Sequence, residues 1–186
     1  MIHPQSKYWL SFSITVLIVA AGWIWRSAVP PGSTNEGLIP APQEGFSAPD
    51  FNLKTLDGQS IQLSDLRGQA VMINLWASWC TPCRAEMPAI ERVYQDYREE
   101  GLIVLAVNST IQDSASAAQT FAYEHRLTFP ILLDMDGKVS DLYQLRALPT
   151  TFFVDKEGVI QEVVIGGPMA EALLRVRVED LLAEVP

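Results

Sequence analysis

The chain holds two cysteines, Cys80 and Cys83, three residues apart in Trp79-Cys80-Thr81-Pro82-Cys83 and directly after the apolar run Ala70 to Ala77. The segment from Arg84 to Glu100 has helical composition, so the pair falls where a strand gives way to the first turn of a helix. That is a place for thiol chemistry. Unpaired backbone N–H groups and the positive dipole end of a helix start stabilise a thiolate, which makes Cys80 the expected attacking sulfur. A spacing of three puts Cys83 on the same helix face, with Cβ atoms about 5–6 Å apart, so a small movement closes a disulfide. Cys83 can then resolve a mixed disulfide. Pro82 falls in the first turn, where a missing N–H costs little, and it stiffens the link between the two sulfurs.

Two other uses of such a pair fit worse. As a staple, a loop of four residues gains only about 2 kcal/mol of closure entropy, against about 3 for fifteen residues. Zinc wants roughly four ligands, yet the chain has no further cysteine, and His3 and His125 are remote in sequence. Two cysteines confined to one motif argue for redox chemistry rather than a disulfide framework.

The elements that must position this pair belong to a chain of 186 residues whose beginning differs from the rest. Tyr8 to Trp25 is 18 residues without a charge. As a helix it is about 27 Å long against a bilayer core of about 30 Å, with Tyr8, Trp9, Trp23 and Trp25 as aromatic belts. It reads as one membrane anchor. Val19-Ala20-Ala21 offers a signal-peptide cut, but the apolar stretch continues past it through Trp25. Residues 1–7 are then a short cytoplasmic segment, 8–25 the anchor, 26–43 a tether rich in proline and glycine, and 44–186 a single domain. Lys7 before the anchor favours the domain on the extracytoplasmic side of the cytoplasmic membrane. Only Lys7, Arg26 and Glu36 are charged before Glu44, so the domain is more acidic than the chain's net −9. Neither nucleic acid nor an anionic membrane surface is an expected partner on that ground.

Within the domain, Phe51-Asn52-Leu53 and Ser60-Ile61-Gln62-Leu63 flank an Asp57-Gly58 hairpin turn. The run Val71 to Trp76 reads as a strand buried on both faces. A helix carrying the cysteines follows, with Pro88 predicting a kink. Then come a strand over Leu102 to Asn108, a helix over Ala115 to His125, a strand at Ile131 to Leu133 and a short helix over Lys138 to Tyr143. A hairpin of Thr150 to Val154 with Val159 to Ile165 and a helix over Glu171 to Leu182 close the chain. This order predicts an α/β fold: a central mixed sheet with helices on both faces.

Five motifs in this order, Ala48-Pro49-Asp50-Phe51, Leu63-Ser64-Asp65-Leu66-Arg67-Gly68, Asn74-Leu75-Trp76-Ala77-Ser78-Trp79-Cys80, Cys83-Arg84-Ala85-Glu86-Met87-Pro88 and Leu148-Pro149-Thr150-Thr151-Phe152, carry a resemblance. The chain resembles membrane-anchored thioredoxin-like proteins of the TlpA/ResA type over residues 46–183. The resemblance implies a thioredoxin-like fold with an N-terminal hairpin and a central insertion over Ala106 to His125, preceded by one transmembrane helix. It implies a cis bond before Pro149, which would face the sulfurs. The Leu148 backbone would pair with an extended stretch of substrate, and Trp79, Pro82 and Thr150 would border the same groove. Where thioredoxin carries a buried acid, six residues before Cys80, this chain has Asn74, which takes no proton. Glu86 is the replacement implied by the family. Arg84 beside the motif and His125 read as ordinary surface or capping residues.

The implied activity is thiol–disulfide exchange without a cofactor: reduced Cys80 attacks a substrate protein disulfide and Cys83 releases the product. Electrons would come from a membrane thiol donor. The substrate implied by the family is the haem-binding cysteine pair of apocytochrome c, with a general extracytoplasmic disulfide reductase or oxidase as the alternative. The Ala48-Pro49-Asp50-Phe51 opening also occurs in peroxiredoxins, but Ile73 and Ala77 stand where those enzymes place a proline and a Thr or Ser. A copper chaperone is a non-enzymatic alternative, which the spacing of this pair disfavours.

Overall fold

The computed structural model describes residues 39–183. The expected cytoplasmic segment and membrane anchor, and most of the expected tether, lie outside the described residues. Among the described residues no helix is long and apolar enough to cross a membrane.

The element order is β1 (Asn52–Thr55), β2 (Ser60–Gln62), β3 (Ala70–Trp76), α1 (Thr81–Tyr97), β4 (Leu102–Asn108), α2 (Ala115–Glu124), β5 (Ile131–Leu133), α3 (Lys138–Leu142), β6 (Thr150–Val154), β7 (Ile160–Ile165) and α4 (Glu171–Ala183). The strands form one mixed sheet in the order β2-β1-β5-β4-β3-β6-β7. The central strands β3, β4 and β5 are parallel, whereas β6 runs antiparallel to β3 and β1 antiparallel to β5. Every residue of β3 is buried, as expected of a strand covered on both faces.

Alternation along β3 sorts its side chains into two layers. Met72 and Trp76 pack with Met87, Ile90 and Val93 of α1, Phe121 of α2, and Leu174 and Val178 of α4. Val71, Ile73 and Leu75 face the other layer, with Phe51, Leu63, Val139, Tyr143 and Phe152. The hydroxyl of Tyr143 donates to the carbonyl oxygen of Pro49 at 2.8 Å, which pins the segment leading into the hairpin.

Two boundaries differ from the expectation. The compact unit begins at Ile39, because the end of the expected tether folds back: the Ala41 N–H donates to the Ser47 carbonyl at 3.1 Å. Ala106 to Asn108, expected in the insertion, complete β4 and pair with Asn74 to Trp76. Pro88 sits inside α1, where the sequence placed it.

Candidate active site

Parallel strands deliver their C-terminal ends to one edge of the sheet, and β3 ends there at Trp76. The chain turns through Ala77 to Cys80, with the Cys80 N–H donating to the Ala77 carbonyl at 3.1 Å, and enters α1. Cys80 is the N-cap of that helix and its sulfur accepts the Cys83 N–H at 3.3 Å. A thiolate at Cys80 would therefore sit on an orphan donor of the first turn, at the positive end of the helix. Pro82 lies within the first two positions of α1, where a missing N–H leaves nothing unpaired.

Cys80 and Cys83 are joined as a disulfide, with Cα atoms 5.3 Å apart. Their exposure differs: Cys80 is 4% exposed and Cys83 0%. Cys80 opens onto a groove lined by Trp79, Thr81, Pro82, Gln112, Arg146 and Leu148. Cys80 lines that groove, whereas Cys83 does not and packs in the core beneath α1.

The Leu148–Pro149 bond is cis. Leu148 lines the groove, and its backbone makes no hydrogen bond among the described residues. Pro149 is buried behind it. Thr150 does not border this groove. Its hydroxyl turns back to the Ala147 carbonyl at 2.7 Å, and the residue lines a separate depression with Glu44, Tyr143 and Val163. The cause is the alternation of β6, which begins at Thr150 and directs this side chain away from the sulfurs.

Glu86 is fully buried, three residues beyond Cys83 on α1. Its Oε1 accepts from Asn74 Nδ2 at 2.9 Å and its Oε2 from the Met169 N–H at 3.0 Å. Asn74 also donates to the Thr151 hydroxyl at 2.9 Å. Burial pushes the Glu86 carboxyl above its ordinary value, opposed in part by the hydrogen bonds from Met169 and Asn74. A Cβ at Gly167 would stand 2.8 Å from both Glu86 Oε2 and Pro149 Cγ. The glycine thus lets the acid and the cis-proline close on each other. The Gly166-Gly167-Pro168 run signals a turn in sequence, but nothing local tells what would press against it.

Arg84 reaches back so that Nη1 donates to the Ser78 carbonyl at 3.0 Å, and its guanidinium lies 5.0 Å from the centre of the Phe121 ring. His125 ends α2, its ring centre 4.1 Å from that of Phe121. Sequence reasoning missed Ser78, Gln112 and Asp113, which come together beside Trp79. Asp113 gave no signal because its partner lies 35 residues away.

A sheet of this order with a vicinal dithiol pair capping the helix after its central strand defines a thioredoxin-like thiol–disulfide oxidoreductase. Residues 45–163 match the model of the AhpC/TSA family. The chain is 41% identical over 162 residues to the thioredoxin-like protein YneN of Bacillus subtilis, covering 86% of this chain and 91% of the relative. It is 36% identical over 161 residues to the thiol-disulfide oxidoreductase ResA of the same organism, covering 87% of this chain and 85% of that one. Among solved structures, StoA from Bacillus subtilis superposes with a TM-score of 0.62 at 29% identity, covering 70% of this chain and 96% of the other. The chain belongs to the AhpC/TSA family and, within it, to the thiol–disulfide oxidoreductases of the ResA type.

Proposed function

We propose that the chain is a membrane-tethered reductant of disulfides in exported proteins, working on the extracytoplasmic side of the cytoplasmic membrane. The observation that carries the reading is the unequal exposure of the two sulfurs at a groove where the Leu148 backbone is free to pair. An extended substrate segment laid against Leu148 brings its disulfide to Cys80. The Cys80 thiolate attacks one substrate sulfur, the substrate S–S bond breaks, and the departing sulfur takes a proton. Cys83 then attacks the Cys80 sulfur, releasing the second substrate thiol and leaving the Cys80–Cys83 disulfide. Two electrons pass to the substrate, and a membrane dithiol donor restores them.

Glu86 is the group proposed to hold a proton for Cys83 during the second attack, since its burial favours the neutral carboxyl. The apolar stretch of residues 8–25 supports the tether, and the likeness to ResA supports a protein disulfide as substrate. The cysteine pair of apocytochrome c is the substrate proposed on the family resemblance that the motifs carry.

The substitution Cys83→Ser removes the resolving thiol and is expected to trap mixed disulfides through Cys80 in cells. Mass spectrometry of the trapped adducts names the partner. Adducts that survive Cys80→Ser but vanish in Cys83→Ser would overturn the order of attack. Hydrogen peroxide consumption should be negligible, because Ile73 and Ala77 are buried apolar residues with no hydroxyl to orient a peroxide.

A further inference from the structure

Residues 109–114, between β4 and α2, grip both residues that precede Cys80. Ser78 is held at each of its polar groups. Its N–H donates to Asp113 Oδ2 at 2.6 Å and its hydroxyl to Asp113 Oδ1 at 2.7 Å, while its carbonyl accepts from Arg84 Nη1 at 3.0 Å. Trp79 is held by the neighbouring residue of the same loop, with Nε1 donating to the Gln112 carbonyl at 2.9 Å.

The loop is itself braced. Asp113 Oδ2 also accepts from Asn108 Nδ2 at 2.9 Å, and Asn108 is the buried last residue of β4, paired with Trp76 at the end of β3. The Gln112 N–H donates to the Ser109 carbonyl at 2.9 Å and the Ile111 N–H to the Asp134 carbonyl at 3.2 Å. A chain of hydrogen bonds thus runs from the sheet to the indole of Trp79, which is 56% exposed on the wall of the Cys80 groove. An indole so exposed has little packing to fix its rotamer, so its direction depends on the carbonyl it meets.

We propose that Asp113 is a positioning residue for protein substrates, which holds Ser78 and thereby sets the groove wall that Trp79 presents beside Cys80. Removing the carboxylate leaves the Ser78 N–H without its acceptor and frees the loop from the strand end. A folded substrate that must fit the wall is affected, whereas a small disulfide that needs only the sulfur is affected little. The bonds and not the charge carry the effect. Asparagine in this place can accept from the Ser78 N–H and Asn108 with its oxygen and donate to the Ser78 hydroxyl with its amide.

The test compares full-length variants reducing insulin, as a protein disulfide, and cystamine, as a small one. For Asp113→Ala, kcat/KM on insulin is expected to fall about tenfold and on cystamine no more than about twofold, the size expected for losing hydrogen bonds to a charged group. Asp113→Asn should restore insulin reduction to within about threefold of the parent. In a Trp79→Ala background, Asp113→Ala should add almost nothing, because both changes remove one wall. Equal losses on the two disulfides, no loss on either, an Asp113→Asn variant as poor as Asp113→Ala, or losses that multiply with Trp79→Ala would each overturn the proposal. Should Asp113→Ala fail to fold, Ser78→Ala, which removes one of the bonds, must show the same separation of substrates in weaker form or the proposal falls.

Discussion

Glu86 carries a testable asymmetry. Its folded-state carboxyl titrates above the ordinary value of 4.5 because burial penalises the charge. Below pH 4.5 the carboxyl is protonated in folded and unfolded chains alike. As pH rises through the folded value the buried site must ionise at a cost, so the stability Glu86 lends is lost in that direction. For Glu86→Gln, the stability of variant relative to parent should therefore increase with pH across this window, as read from urea unfolding at several pH values. The network can accept the change, because Asn74 Oδ1 has no hydrogen-bond partner among the described residues: a half-turn of that amide lets it accept from the new Gln nitrogen. The pH profile of thiol alkylation in the reduced protein should also shift for Glu86→Gln. Identical profiles would remove Glu86 from the thiol chemistry. At Gly167 the added methyl of Gly167→Ala meets Glu86 and Pro149 at 2.8 Å, a loss of about 1–3 kcal/mol by overpacking, measurable by chemical denaturation.

At the scale of elements, helix ends explain much of the arrangement. The helix α1 is capped by the reactive sulfur itself, whereas α2 is capped by Ser114, whose hydroxyl accepts the Ala117 N–H at 3.1 Å. Ser114→Ala should cost about 1 kcal/mol of stability, read as a shifted denaturation midpoint with an unchanged slope. The buried strands were legible in sequence because continuous apolar runs such as Val71 to Trp76 have few other uses in a soluble domain. The limits of the insertion were less legible. Ala106 to Asn108 fall both in the strand predicted over Leu102 to Asn108 and in the insertion implied by the resemblance, and pairing with Asn74 to Trp76 decides for the strand. The resemblance implied Thr150 at the groove, but the two-residue period of β6 turns its side chain to the face that carries Phe152.

Across the whole molecule, the proposed tether is the feature that a fractionation experiment decides. If residues 8–25 anchor the chain, the full-length protein should sediment with membranes and need detergent for release, while a chain starting at Ile39 should not. Recovery of both forms in the same fraction would refute the anchor. The N-terminal turn around Ala41 is hydrogen-bonded to the domain through the Gly45 N–H and the Ile160 carbonyl, so a chain starting at Ile39 is expected to fold like the full-length protein, as circular dichroism would read.

The amino-acid sequence alone determined the chemistry and the order of elements, since both rest on local facts: two sulfurs at a three-residue spacing, a helix start, apolar runs and turn residues. The tertiary structure decided which sulfur lines the groove, that Glu86 is buried against Asn74 and Met169, and that Asp113 holds Ser78 from another strand's loop. Those outcomes depend on contacts between residues far apart in the chain, and exposure and hydrogen-bond partners at such contacts exist only once the sheet has assembled.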